Sequence, residues 1–179
     1  MLRRIAIILL LILSLNLQSC ASAAASLKSY VDSGKGYEFG YPPGWIPVKV
    51  DNGPDIVLHD LIEETENVSV IVSQLPVDKT LQDLGSPSQV GYRLSKRAIA
   101  PPDSGREAEL VSAESRDFNG VTYYLLEYAV KLPTQARHNL ASVAVQRGQL
   151  FTFNLSTTEK RWAKKQDFFR QVVNSFSVF

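Results

Sequence analysis

Residues 107–132 read EAELVSAESRDFNGVTYYLLEYAVKL, and their pattern sets the fold class. Asn119-Gly120 suits a two-residue hairpin turn, because both central residues of such a turn adopt positive φ. The expectation is a hairpin in which Glu107 to Phe118 pairs with Val121 to Leu132. On the second strand Tyr124, Leu126, Tyr128 and Val130 make one face. Val121, Tyr123, Leu125 and Ala129 make the other, interrupted only by Glu127. A strand that is apolar on both faces belongs to a sheet that is covered on both faces.

The same reading extends in both directions. Asn139 to Gln146 and Gln149 to Leu155 form a second hairpin around Arg147-Gly148. Upstream, Tyr30 to Asp32 and Tyr37 to Tyr41 are strands joined by the turn-forming run Ser33-Gly34-Lys35-Gly36. Pro42-Pro43-Gly44 breaks the chain before Trp45. Ile46 to Val50, Asp55 to Leu61 and Val68 to Leu75 follow as strands, separated by Asn52-Gly53-Pro54 and by the acidic run Glu63-Glu64-Thr65-Glu66.

Two helices are expected. Ser86-Pro87-Ser88-Gln89 starts the first, with serine as cap, proline in the first turn and glutamine closing a capping box. It should end near Ile99, before Pro101-Pro102. Thr157 or Thr158 caps the second, which runs to about Asn174 with Trp162, Phe169, Val173 and Phe176 on one stripe. The sum is α+β, with two main helices on an antiparallel sheet of five to seven strands. Hairpins dominate, which excludes a doubly wound parallel sheet.

The first 29 residues stand apart from this domain. Arg3 and Arg4 precede a run from Ile5 to Leu17 that is apolar except for Ser14 and Asn16, the layout of an export signal. The run is too short for a permanent transmembrane helix, which needs about 20 apolar residues. Leu17-Gln18-Ser19-Cys20 resembles a bacterial lipobox, in which the cysteine sulfur receives a diacylglyceryl group and becomes the first residue of the mature chain. Ala21-Ser22-Ala23 and Ala23-Ala24-Ala25 would also serve ordinary signal cleavage and release a soluble chain. The placement of the only cysteine at this boundary favours the lipid anchor. The expected organisation is a signal peptide at 1–19, a lipidated tether at 20–29 and one domain at 30–179. Such a tether reaches about 17 Å, so the domain would stay close to the membrane.

Composition narrows the function. The 19 basic residues fall to 17 without Arg3 and Arg4, against 18 acidic ones. That balance argues against a nucleic-acid binder. Once Cys20 is lipidated no thiol remains, which excludes disulfides, iron–sulfur ligation, cysteine zinc sites and cysteine nucleophiles. The sequence contains neither a Gly-x-Ser-x-Gly elbow nor a phosphate-binding glycine loop. His138, beside Arg137, has no acid–serine pair near it. Nothing in the chain asks for catalysis.

Three groups remain as candidates. His59 and Asp60, helped by Glu63, Glu64 or Glu66, offer a carboxylate-rich set for a divalent metal such as Zn²⁺ or Mn²⁺. Trp45 and the tyrosines at 37, 41, 123, 124 and 128 either fill the core or line a ligand groove, and strand spacing favours the core. Arg93, Lys96 and Arg97 on the first helix, with Lys160, Arg161, Lys164 and Lys165 on the second, are the candidate partner-binding cations. They are either solvated helix faces or a means of docking on acidic loops of a membrane complex, where charge orients binding more than it tightens it.

Two stretches resemble a known family. Tyr30-x-Asp32 and Gly36-Tyr37-x-Phe39-x-Tyr41-Pro42-Pro43-Gly44-Trp45 are similar to the opening of the PsbP family, the extrinsic lumenal subunits of photosystem II and their relatives. Asn119-Gly120 with Tyr123-Tyr124, then Phe151-Thr152-Phe153-Asn154, Trp162 and Val172-Val173-Asn174-Ser175-Phe176, resemble its closing strands and helix. The resemblance implies an α/β/α sandwich around a central antiparallel sheet. With the lipobox, it implies the cyanobacterial, lipid-anchored branch: a lumenal thylakoid lipoprotein, not an enzyme, that helps photosystem II assemble or stay stable. Plant members retain calcium and chloride at the manganese cluster of the oxygen-evolving complex, partly through an N-terminal extension. The short stretch between Cys20 and Tyr30 does not match that extension. The alternative function is a lipid-anchored carrier of a metal or small ligand.

Overall fold

The computed structural model describes residues 27–179. The expected signal, Cys20 and most of the tether lie outside the described residues. The elements run β1 (Lys28–Asp32), β2 (Tyr37–Tyr41), β3 (Trp45–Val48), β4 (Ile56–Asp60), β5 (Asn67–Gln74), α1 (Pro87–Leu94), β6 (Glu107–Phe118), β7 (Val121–Lys131), β8 (Ala136–Gln146), β9 (Gln149–Thr158), α2 (Glu159–Asn174) and β10 (Ser177–Val178). A π turn, Ser95–Ile99, continues α1 to the residue at which the helix was expected to end. Among the described residues no helix is long and apolar enough to cross a membrane.

Both expected hairpins form on positive-φ turns. Asn119 and Gly120 have φ of 49° and 76°, and Arg147 and Gly148 have 50° and 68°. The turns join β6 to β7 and β8 to β9 in a seven-stranded antiparallel sheet of order β3-β4-β5-β9-β8-β7-β6. The first two strands do not join it, which corrects the expectation of a single sheet. β2 instead lies between β1 and the two-residue β10 in a small sheet of its own. The Pro42-Pro43-Gly44 corner, with Gly44 at φ 91°, turns the chain out of one sheet and into the other. β10 is too short to leave a periodicity in the sequence.

Alternation on β7 sorts the core into two clusters. Tyr123 shares one face with Phe151, Phe153 and Leu155, under Trp162, Phe169, Val172 and Val173 of α2. The small sheet covers the same face, with Phe39 and Phe153 ring centroids 4.9 Å apart. Tyr124, Leu126, Tyr128 and Val130 share the opposite face with Ala141 and Val143, beneath Val90 of α1 and Ile99 of the π turn. The α/β/α sandwich is thus the observed layer order. α1 approaches its sheet closely: a Cβ on Gly91 would lie 3.0 Å from Leu110, and the Tyr128 hydroxyl donates to the Gly91 carbonyl at 3.0 Å.

The caps form as the sequence indicates. Ser86 and Gln89 close the capping box on α1. Thr158, not Thr157, caps α2 by accepting from the Arg161 N–H. Three strands are longer than expected by two residues or more. β1 starts at Lys28, so two residues read as tether are strand, β8 starts at Ala136, and β9 continues to Thr158. Arg137, His138, Ser156 and Thr157 resemble loop by polarity, but each is buried in a strand with a hydrogen-bonding partner. Trp45 is buried, as are Tyr37, Tyr123, Tyr124 and Tyr128, while Tyr41 packs partly buried against them. The aromatics are core.

Trp45→Ala is therefore expected to cost about 3–5 kcal/mol of unfolding free energy, read from the shift of a urea midpoint. An unchanged midpoint would place Trp45 outside the core.

Candidate functional site

The polar groups of the α2 face form two partly buried ionic clusters. In the first, Glu127 of β7 and His138 of β8 lie diagonally across adjacent strands, since His138 pairs with Ala129 and Leu140 with Glu127. His138 Nε2 is 2.9 Å from Glu127 Oε1 and its Nδ1 is 3.0 Å from Glu159 Oε2. Arg170 donates to the other Glu127 oxygen at 2.6 Å. The Trp162 ring stacks on the His138 imidazole at 4.1 Å and also carries the Arg170 guanidinium at 5.1 Å from its centroid. Both imidazole nitrogens are engaged, so neither is free to take a metal or to relay a proton to a substrate. The cluster pins α2 onto β7 and β8.

The second cluster involves residues expected to serve elsewhere. Glu66, read as part of an acidic loop, is 1% exposed and accepts from Arg161 at 2.7 and 2.8 Å and from the Thr157 hydroxyl. Asp60 accepts from the Ile62 and Glu63 N–H groups and from Arg161 at 3.3 Å. Burial pulls the Asp60 pKa up. The two N–H groups, the Arg161 guanidinium and the Trp45 indole together outweigh it and hold Asp60 below the ordinary carboxylate value. The hydrogen bond that Arg161 donates to Glu66 is the largest influence on its guanidinium and raises its pKa further.

The expected metal ligands are accordingly not brought together. His59 and Asp60 are successive residues of β4, so they point to opposite faces of the sheet. Asp60 and Glu66 turn toward Arg161, Glu63 accepts from the Thr65 hydroxyl, and Glu64 is exposed. His59 Nδ1 is buried without a hydrogen-bond partner among the described residues. Among the described residues no group of three or more His, Cys, Asp or Glu side chains is arranged to hold a metal ion.

The seven candidate docking cations separate into two exposed sets and one residue apart. Arg93, Lys96 and Arg97 are exposed on α1 and its π turn, with Lys96 5.8 Å from the centre of the exposed Tyr92 ring. Lys160, Lys164 and Lys165 are exposed on α2, which lies on the other layer of the sandwich and kinks at Lys165. Arg161 belongs to neither set. It is a correction to the expectation, because its guanidinium is committed to Glu66 and Asp60. The two exposed sets face away from each other and cannot form one patch.

The sequence reading missed both clusters. Its one signal for the first was Glu127, the lone carboxylate on an apolar strand. For the second, Arg161 stood next to Trp162 on the buried stripe, and nothing local marked Glu66 as its partner.

Comparison with known proteins gives a consistent result. The PsbP family model matches residues 25–178. The chain is 50% identical over 163 residues to CyanoP of Thermosynechococcus vestitus, covering 88% of this chain and 89% of that protein. It is 36% identical to the chloroplastic PsbP-like protein 1 of Arabidopsis thaliana, covering 87% of this chain and 67% of that one. Among solved structures, the solution structure of CyanoP from Synechocystis sp. PCC 6803 superposes with a TM-score of 0.76 at 49% identity, covering 91% of this chain and 99% of that one.

Two outcomes are expected from the buried charges. Arg161→Gln strands a buried carboxylate and should cost about 3 kcal/mol, while Lys164→Gln should stay within about 0.5 kcal/mol in the same denaturation assay. Asp60 has a lowered folded pKa, so its contribution is present above the unfolded value near 3.9 and is lost as pH falls through the folded one. Asp60→Asn should therefore flatten the acid limb of the stability profile below about pH 4 and leave its shape at neutral pH unchanged.

Proposed function

The chain belongs to the PsbP family, and from that premise we propose that it is a non-enzymatic lumenal lipoprotein of the thylakoid membrane that associates with photosystem II and aids its assembly or stability. The observation that carries this reading is the agreement in sequence and fold with CyanoP along nearly the whole domain. The export signal and the Cys20 boundary support delivery across a membrane and retention on its far side. Two or three acyl chains, at roughly 0.8 kcal/mol per buried CH₂, would hold the domain at the surface without a spanning helix.

The task of such a protein is contact. The titratable groups of the α2 face are tied to one another, which suits a rigid docking body more than a reacting centre. The exposed cations are free to meet acidic loops of a membrane complex. Because they lie on opposite layers, one set at a time would face a given partner, and charge would set orientation and on-rate more than affinity.

Affinity capture of the tagged chain from gently solubilised thylakoids, with co-purified subunits identified by mass, tests the reading. Enrichment of photosystem II reaction-centre subunits over photosystem I is expected, and a preparation without photosystem partners would overturn it. Reversing Arg93, Lys96 and Arg97 to Glu, and separately Lys160, Lys164 and Lys165, should reduce recovery for one set only, the one that faces the partner. Cys20→Ala should move the protein from membranes to the soluble fraction. Retention after a salt wash would remove the lipid anchor from the account.

A further inference from the structure

α1 covers only the β6–β7 side of its sheet face, and what it leaves open is polar. In register across β5, β9 and β8 lie Asn67, Ser69, Asn139, Asn154 and Ser156, flanked by the π turn. They line a cleft of about 410 Å³, within the range of small-ligand sites. Its lining contains two arginines, Arg106 and Arg137, and neither Asp nor Glu.

Arg137 is unusual in this setting. It is 7% exposed, yet no carboxylate lies within salt-bridge distance among the described residues. Its Nε and Nη2 donate to the Ser156 hydroxyl at 3.1 and 3.0 Å, and Nη2 also donates to the Thr65 carbonyl. Nη1 has no hydrogen-bond partner among the described residues. Burial, with Arg106 adding to it, depresses the Arg137 pKa, while Glu63 and Glu66 act the other way from beyond contact. A desolvated guanidinium without a counter-ion is costly, and an anion in the cleft would offset that cost.

The hydrogen bonds beside it are polarised in one direction. Arg137 donates to the Ser156 hydroxyl, Ser156 to the Asn139 side-chain oxygen Oδ1 at 3.0 Å, and the Asn139 side-chain nitrogen to Asn154 Oδ1 at 3.3 Å. Each oxygen in the relay already accepts at least one hydrogen bond, whereas Arg137 Nη1 at one end and the Asn154 amide nitrogen at the other donate to no partner among the described residues. The exposed Arg106 at the rim adds a second positive charge.

We propose that this cleft is a binding site for a carboxylate-type oxyanion, seated on Arg137 with Arg106 and Asn154 as its further donors. With its Nε and Nη2 hydrogens already donated, Arg137 offers Nη1 to a carboxylate oxygen, and the few donors left over match the two oxygens of a carboxylate better than the four of a tetrahedral anion. The carboxylate comes either from a free small acid or from the end or an acidic side chain of an extended peptide. The site rests on the cleft alone and stands whether or not the chain docks on a photosystem.

The test is a titration of the full chain, labelled with ¹⁵N-arginine and purified in mild detergent, followed at the arginine Nε–H resonances. The probes are citrate, inorganic phosphate and an acetylated peptide ending in a free carboxylate. Saturable shifts confined to Arg137 and Arg106 are expected, with citrate binding more tightly than phosphate. A peptide that binds at least tenfold tighter than citrate would assign the carboxylate to a polypeptide, and the reverse order to a free acid. Arg106→Gln, at an exposed position that leaves the fold intact, should weaken binding about tenfold, and Asn154→Leu should weaken it further. Absence of saturation, shifts spread over all surface arginines, or equal binding by Arg106→Gln would overturn the proposal.

Discussion

A sheet that is apolar on both faces cannot stop at one layer, and the rest of this molecule follows from that. β7 places Tyr123 and Tyr124 on opposite sides, and both rings are buried. Water must be excluded twice, at about 25 cal/mol per Å² of apolar surface covered. One covering layer is α1. The other is shared by α2 and the small sheet, whose Tyr37 and Phe39 meet Phe151, Phe153 and Phe176. The small sheet exists because α2 alone does not span the face, and the chain returns through β10 to close it.

Apolar cover is non-directional, and the two ionic clusters supply the direction. Glu66 with Arg161 joins the start of β5 to the first turn of α2, and Glu127 with His138 and Arg170 joins the sheet centre to the rest of the helix. A slip of α2 by one turn would part Glu66 from Arg161 and Glu127 from Arg170, leaving each buried carboxylate without its guanidinium. The helix therefore has one register. Its exposed lysines are held at fixed positions as a result, which a docking surface requires.

The other layer is less complete. α1 is short, and its close approach at Gly91 fixes it over β6 and β7. The outer strands on that side carry Ile46, Val48 and Ile71 half-exposed beside a lane of hydroxyls and amides. Sequence patterning registered these strands only as alternating. It did not distinguish a face that a helix covers from one that stays open, because that depends on the length of α1 and where it lands.

Local chemistry in the sequence determined most of the elements. Two positive-φ turns, a capping box, a threonine cap and the double apolar face of β7 each act over a few residues, so each could be read without knowing the fold. The tertiary structure alone decided which strands share a sheet and which charges meet. Glu66 and Arg161 are 95 residues apart along the chain, and Glu127 and Arg170 are 43 apart. Nothing near Arg161 distinguishes it from Lys160 or Lys164 except the side of the helix it occupies, and only the packed sheet gives that side a partner. The same holds for Arg137, which takes its character from residues on β5, β8 and β9 brought together by strand pairing, an interaction between backbones that side-chain patterns specify only in part.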